Sequence, residues 1–212
     1  MFISVSGNIG VGKTTLAKLI SKEMDFKLHE EKVDNSILGK FYKDIENNVK
    51  PSDHAFYLQK YFLFTRAAAH MDMQFSDENS IQDRSIYEDR YVFANHLNNS
   101  GFISDEHYDE YLSNYAIGYG GLKEPDLLIH LKASPKVLRE RIAKRGRESE
   151  KQLLYSNNPY LEELDSLYSK MISNYSGKTL IINSENYDLA NNLRDKERVL
   201  SLVKNNLGLD SG

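Results

Sequence analysis

The chain has no cysteine among its 212 residues, which excludes a disulfide framework, a thiolate zinc site and a cysteine nucleophile. It also lacks an excess of positive charge: 27 Lys and Arg stand against 31 Asp and Glu, a net charge of −4 with a pI of about 5.9. That balance speaks against a nucleic-acid backbone as the main partner. No apolar run approaches the roughly eighteen residues of a membrane span, and no basic segment leads an apolar one into the first strand. Repeats and low-complexity tracts are missing as well. The expectation is a soluble, cytoplasmic protein with neither a membrane nor a nucleic-acid partner. At 40% hydrophobic residues the chain can build one sizeable core, so a single domain over 1–212 is expected.

What is there begins at the first turn. Phe2-Ile3-Ser4-Val5 is a short apolar run, followed by Gly7-Asn8-Ile9-Gly10-Val11-Gly12-Lys13-Thr14-Thr15 and then by Leu16, Leu19, Ile20 and Met24 at helical spacing. Strand, glycine-rich turn and helix together make a Gly-x-x-x-x-Gly-Lys-Thr match a phosphate-binding loop, because backbone N–H groups and a helix N-terminus converge on one point. Lys13 is placed to reach the β- and γ-phosphates and the Thr14 hydroxyl to meet Mg²⁺. A glycine-rich turn that happens to carry a lysine is the bland alternative, and the complete motif in context favours nucleotide binding.

Downstream, Phe26-Lys27-Leu28-His29-Glu30-Glu31 reads as a second strand ending in acids. In an open α/β sheet ligands collect beyond the carboxyl ends of the strands, so either acid could take a proton from an attacking hydroxyl, or both could simply solvate a loop. Residues 36–50 read as polar, with Phe41-Tyr42 embedded, and Pro51-Ser52-Asp53 signals a helix start. The helix expected over about 54–73 sets Gln59, Phe62 and Arg66 on one face. Those three could read a nucleobase, although core aromatics with a snorkelling arginine is the simpler reading of that stripe.

Ser80-Ile81-Gln82-Asp83 reads as a third strand, whose terminal Asp83 is a candidate Mg²⁺ partner beside Arg84. Asp89 and Phe93 lie four apart and share a helix face. A helix over 104–117, a loop over 115–121 and a buried strand over 126–131 follow. Ser134-Pro135 opens a helix carrying Arg141 and Arg145 and ending near Gly146, with Arg147 beyond. Guanidiniums near a hinge suit a lid over a triphosphate, and a solvated basic helix face accounts for them equally well. The chain closes with a helix over 159–175, a strand over 179–182, a loop over 183–188 and an amphipathic helix. Five strands alternating with helices imply a parallel sheet covered on both faces.

Jointly, the phosphate loop, Glu31-Lys32-Val33-Asp34, Gln59 to Arg66, Asp83-Arg84-Ser85, Asp89-Arg90-Tyr91 and Arg141-Ile142-Ala143-Lys144-Arg145-Gly146-Arg147 resemble the deoxynucleoside kinase family. The likeness is to its deoxycytidine, deoxyguanosine and deoxyadenosine kinase group, above all the short bacterial deoxyadenosine kinases. It runs from Phe2 to about Tyr187 and implies a P-loop NTPase-type α/β fold with a five-stranded parallel sheet and an arginine-rich lid. It also implies ATP as donor, Mg²⁺, a deoxynucleoside acceptor and a homodimer. By the same resemblance Glu31 is the base, with Glu30 as fallback. Gln59 would hydrogen-bond the nucleobase, Phe93 would stack on it, and Arg66 with Asp89 would read its edge. Asp83 would hold Mg²⁺ through water, and Arg84 would meet the 5′-oxygen and the transferring phosphate. Arg141, Arg145 and Arg147 match lid arginines, while Glu150 with Tyr42 matches the group at the sugar 3′-hydroxyl. Leu58 stands where several relatives stack an aromatic ring, and Phe62 fills space that thymidine-accepting members leave open, which favours a purine, then cytosine. A deoxynucleoside monophosphate kinase and a nucleotide-binding regulatory module are the competing functions.

Overall fold

The structure, a computed structural model, describes residues 1–31, 35–155 and 158–209. Five strands form one parallel sheet: β1 (Phe2–Gly7), β2 (Lys27–His29), β3 (Ser80–Asp83), β4 (Leu127–Lys132) and β5 (Thr179–Asn183), in the order β2-β3-β1-β4-β5. The chain leaves β1 for one side and returns to the other through β4, so the carboxyl end of β1 is the point where strand order reverses. Ligands of open α/β sheets bind there.

Every residue of β1 is buried, as expected of a parallel strand covered on both faces. Ile3 and Val5 pack with Ile81, Leu127, Ile129 and Leu131 against α1 (Lys13–Met24), α7 (Pro135–Arg145) and α9 (Leu193–Leu207), through Leu16, Ile20, Leu138, Ile142, Val199 and Val203. Each fully buried side chain of this kind contributes about 1.5–3 kcal/mol relative to exposure. The other face meets α3 (Asp53–Gln74) and α8 (Tyr160–Asn174): Phe2 touches His70 edge-on at 4.6 Å, Gln82 donates to the Arg66 carbonyl at 3.5 Å, and His130 lies 5.6 Å from the Tyr168 ring. A second cluster joins α3 to α2 (Asn35–Glu46) and α6 (Asp105–Tyr119) through Phe41, Phe56, Leu63, Tyr111 and Tyr115.

Several sequence expectations need correction. The 36–50 stretch, read as polar, contains α2, because Ile37, Leu38, Phe41, Tyr42 and Ile45 fall on one helical face and pack into the second cluster. The loop expected from Tyr115 is helical to Tyr119, since Tyr115 and Tyr119 are buried and Tyr119 donates its hydroxyl to the Leu63 carbonyl. Strand β2 stops at His29, so Glu30 and Glu31 follow it. Asp89 and Phe93 stand in a π-helical turn, Asp89–Ala94, set between α4 (Ile86–Glu88) and α5 (Asn95–Asn99). The Lys32-Val33-Asp34 part of the family pattern lies outside the described residues.

Two loop glycines differ in what they demand. Gly7 has φ 142°, and a Cβ there would stand 2.4 Å from the Leu131 carbonyl oxygen; Gly12 has φ 109° with open space around it. Gly7→Ala therefore meets overpacking and strain together, about 2–5 kcal/mol of lost stability, and Gly12→Ala strain alone, about 1–3 kcal/mol. Urea unfolding of both variants checks this order; equal midpoints would refute it.

Candidate active site

The carboxyl ends of β1, β2 and β3 open into a cleft of about 1130 Å³, large enough for two ligands side by side. On one side the phosphate loop runs into α1, whose first turn carries no acid to compete with an anion. Ile9 to Thr15 line the cleft, whereas Gly7 and Asn8 do not. Gly7 presses on β4, and the Asn8 amide donates to the Leu161 carbonyl at 2.9 Å, so these two brace the loop from behind. The Lys13 ammonium donates to the Gly7 and Asn8 carbonyls at 2.7 and 3.0 Å. Burial, and then the Arg84 charge, pull its pKa down to about 8.

The Thr14 hydroxyl donates to Asp83 at 2.5 Å. These are two hard oxygen donors side by side, and among the described residues no cluster of three His, Asp or Glu forms a protein cage for a metal. That pairing fits Mg²⁺, which takes one or two protein oxygens and completes its sphere with phosphate and water.

Across the cleft, α3 presents Gln59, Phe62 and Arg66. The Arg66 guanidinium forks between two carboxylates, Nη1 to Asp89 and Nη2 to Glu31. Glu31 also pairs with Arg84 Nε at 3.1 Å. Although burial pushes the other way, Arg84, Arg66 and Lys13 hold Glu31 at about 2. Burial lifts Asp89 to about 6 against the pull of Arg66. Glu30, by contrast, is 56% exposed and paired with Lys18 at 2.9 Å. The two acids that the sequence leaves open thus differ sharply, and Glu31 alone joins the arginine cluster.

Two rings carry guanidiniums: Arg66 lies 4.5 Å over Phe62 and Arg84 4.8 Å over Phe93. Buried acceptors Gln59 Oε1 and Asp89 Oδ2 have no hydrogen-bond partner among the described residues. At the far end, Glu150 accepts from Arg145 at 2.5 and 3.0 Å and faces Arg147 at 3.6 Å. Burial, then Glu150, pushes Tyr42 up to about 12, which keeps its hydroxyl protonated. Arg141 is fastened to the Val11 carbonyl at 2.9 Å and to the Ser184 hydroxyl and carbonyl at 2.7 Å. Sequence reasoning missed the 184–191 segment, which lines the cleft beyond β5, and Glu88, which touches Arg84 from behind. The first was reachable, since it follows a strand's carboxyl end; the second carries only the Ser85-x-x-Glu88 capping-box spacing, which marks a helix start and says nothing of Arg84.

The family model for deoxynucleoside kinase matches residues 3–207. The chain belongs to the deoxynucleoside kinase family. Members are phosphotransferases with an alcohol group as acceptor. A deoxyadenosine kinase of Dictyostelium discoideum is 37% identical over 175 residues, 82% of this chain and 67% of its own length. The deoxyadenosine/deoxycytidine kinase of Bacillus subtilis (strain 168) is 35% identical over 205 residues, 95% of this chain and 90% of its own. Among solved structures, deoxyadenosine kinase from M. mycoides with bound dATP superposes with a TM-score of 0.76 at 26% identity, covering 96% of this chain and all of the other. The same enzyme with products dCMP and a flexible dCDP bound gives 0.78 at 25% identity, covering 97% and 100%.

Lys13 offers a pH test within this kinase site. Its folded pKa of about 8 lies below the usual 10.5, so between those values the unfolded chain binds more protons and stability rises with pH. Relative to Lys13→Met, the wild-type protein should gain up to about 3 kcal/mol from pH 8 to pH 10.5 without ligands. Denaturant titrations at both pH values check this, and a constant gap would disprove it.

Proposed function

We propose that this kinase moves the γ-phosphoryl group of ATP to the 5′-hydroxyl of deoxyadenosine, with deoxycytidine second, as a salvage enzyme of the cytoplasm. The observation that carries the reading is Glu31: a carboxylate held between Arg66 and Arg84 in the same cleft as Lys13. Glu31 accepts the proton of the attacking hydroxyl, and its arginine partners fix its direction. Arg84 and Lys13 stabilise the charge on the transferring phosphoryl, the kind of preorganised electrostatics that dominates phosphoryl transfer. Thr14 and Asp83 are the residues that would hold Mg²⁺, and the ion, when bound, neutralises charge on the donor oxygens. Ile9 to Thr15 surround the donor phosphates, with Arg141, Arg145 and Arg147 from the lid. Tyr42 and Glu150 take the sugar end.

The nucleobase preference rests on hydrogen-bond polarity. Asp89 Oδ2 is an unmatched buried acceptor, and Arg66 beside it is a donor that can never accept. An amino group next to a bare ring nitrogen satisfies both; adenine (N6, N1) and cytosine (N4, N3) offer that pair, while thymine (O4, N3–H) and guanine (O6, N1–H) present the reverse at the matching positions. Phe93 supports the base plane, and Phe62 narrows the slot.

A homodimer is part of the proposal, supported by the outward face of α3. Tyr57, Phe64 and Met71 recur every seventh residue and are 57%, 51% and 45% exposed, an apolar stripe suited to a helical partner. Among the described residues no helix is long and apolar enough to cross a membrane.

Two measurements follow. With ATP, Mg²⁺ and a panel of four deoxynucleosides, turnover should rank deoxyadenosine first. Glu31→Gln should lower kcat by about 10²–10⁴-fold while Glu30→Gln stays within about twofold of wild type; the opposite pattern would assign the base to Glu30. In sedimentation velocity the wild type should run as a dimer and Phe64→Glu as a monomer, and a monomeric wild type would remove the dimer from the proposal.

A further inference from the structure

Glu88 is fully buried, 0% exposed, and the reaction as proposed gives it no step. Its Oε1 accepts from the Tyr168 hydroxyl at 2.6 Å, from Arg84 Nη1 at 3.3 Å and from the Gly7 amide at 3.3 Å, while Oε2 accepts from the Ser85 amide at 2.7 Å. A carboxylate has about four acceptor positions, so these donors saturate it. They come from separate parts of the chain: the start of the phosphate loop, the corner after β3 and the middle of α8. Tyr168 also sets its ring edge-on to Phe93 at 6.4 Å.

We propose that Glu88, anchored by Tyr168, is a positioning residue that fixes the Arg84 guanidinium relative to the phosphate loop. Arg84 has a left-handed backbone, φ 79°, and its amide is committed to the Val5 carbonyl at 2.9 Å. The backbone is thereby set, but the long side chain needs its own restraint. Glu31 pulls it from the cleft side at 3.1 Å and Glu88 from the core side at 3.3 Å. Without Glu88 the guanidinium keeps one ion-pair partner among the described residues, the proposed base, and collapses onto it. With Glu88, Arg84 is shared, and the same carboxylate that restrains it also holds the first loop amide. A cap for the short α4 would require only the Ser85 contact; the contacts to Gly7, Arg84 and Tyr168 tie together the pieces that must be in register during transfer.

This inference rests on the reading that Arg84 meets the transferring phosphoryl, and the experiment separates the two. Wild-type protein, Glu88→Gln and Tyr168→Phe are assayed at saturating ATP, Mg²⁺ and deoxyadenosine, with nucleoside Kd from calorimetry and folding from far-UV circular dichroism. Glutamine keeps the shape but turns an N–H toward a donor. A misplacement near 1 Å costs about a hundredfold in rate, so kcat should fall by about 10–100-fold in Glu88→Gln and about 3–10-fold in Tyr168→Phe, with Kd within about threefold of wild type. A folded Glu88→Gln with kcat within about twofold of wild type, or with Kd weakened as much as kcat, overturns the proposal. Should Glu88→Gln not fold, Tyr168→Phe decides by the same two criteria. A wild type inactive on every deoxynucleoside sinks the kinase assignment itself; an active wild type with unaffected variants sinks only the role of Glu88.

Discussion

Charges taken out of water together are what the rest of this structure has to accommodate. Arg66 joins Glu31 to Asp89, Arg84 joins Glu31 to Glu88, and Lys13 lies in the same field. Each ion costs several kcal/mol to bury, and mutual attraction repays that only where the geometry is good and the remaining lone pairs are met. The cluster therefore has to be built from stiff parts. Arg66 comes from the middle of a 22-residue helix, Glu88 and Asp89 from consecutive positions at an α-to-π transition, and Arg84 from a left-handed corner at the end of β3. Consecutive side chains on a helix diverge by about 100°, so these neighbouring acids serve different arginines, Glu88 toward Arg84 and Asp89 toward Arg66.

A carboxylate held at about 2 is a weak proton acceptor, which bears on the chemistry assigned to Glu31. In a loose phosphoryl transfer the attacking oxygen forms little bond to phosphorus before the transition state, so its proton is not yet acidic and the residue beside it chiefly orients it. A weak base with a fixed direction suits that task better than a strong one free to rotate. The arginines that depress its basicity also supply its direction, so the two effects cannot be optimised apart.

Legibility from sequence followed the range of the contacts. The phosphate loop is local: its glycines, lysine and threonine lie within nine residues and between two recognisable elements. Arg66 and Asp89 are 23 apart and were reachable because a family pattern pairs them. Glu88 meets Gly7 across 81 residues and Tyr168 across 80, and the Ser85-x-x-Glu88 spacing signals a helix start, not those contacts. Helix α2 was hidden differently, its five apolar residues diluted by lysines, asparagines and acids that the average polarity registers and the spacing does not. Gly7 and Asn8 show the converse: a motif names the whole loop, while packing divides it into residues facing the cleft and residues facing the core.

The end of α7 raises the remaining physical question. Gly10 abuts Ile142, and Arg141 is tied to the Val11 carbonyl; the phosphate loop and α7 are thus packed together up to the glycine that ends α7 with φ 66°. On either side of that glycine, Arg145 at the end of α7 and Arg147 after it both face Glu150. A guanidinium neutralised by a buried carboxylate adds little field at a phosphate, and a carboxylate so occupied has little left to offer a sugar hydroxyl. The roles proposed for the two sides therefore exclude each other in the arrangement found, and both can be met only if the pair parts. A triphosphate carries enough negative charge to compete for Arg145, and its arrival would leave Glu150 to the acceptor. Donor and acceptor then share one ion pair as their point of contact, at the glycine that ends α7.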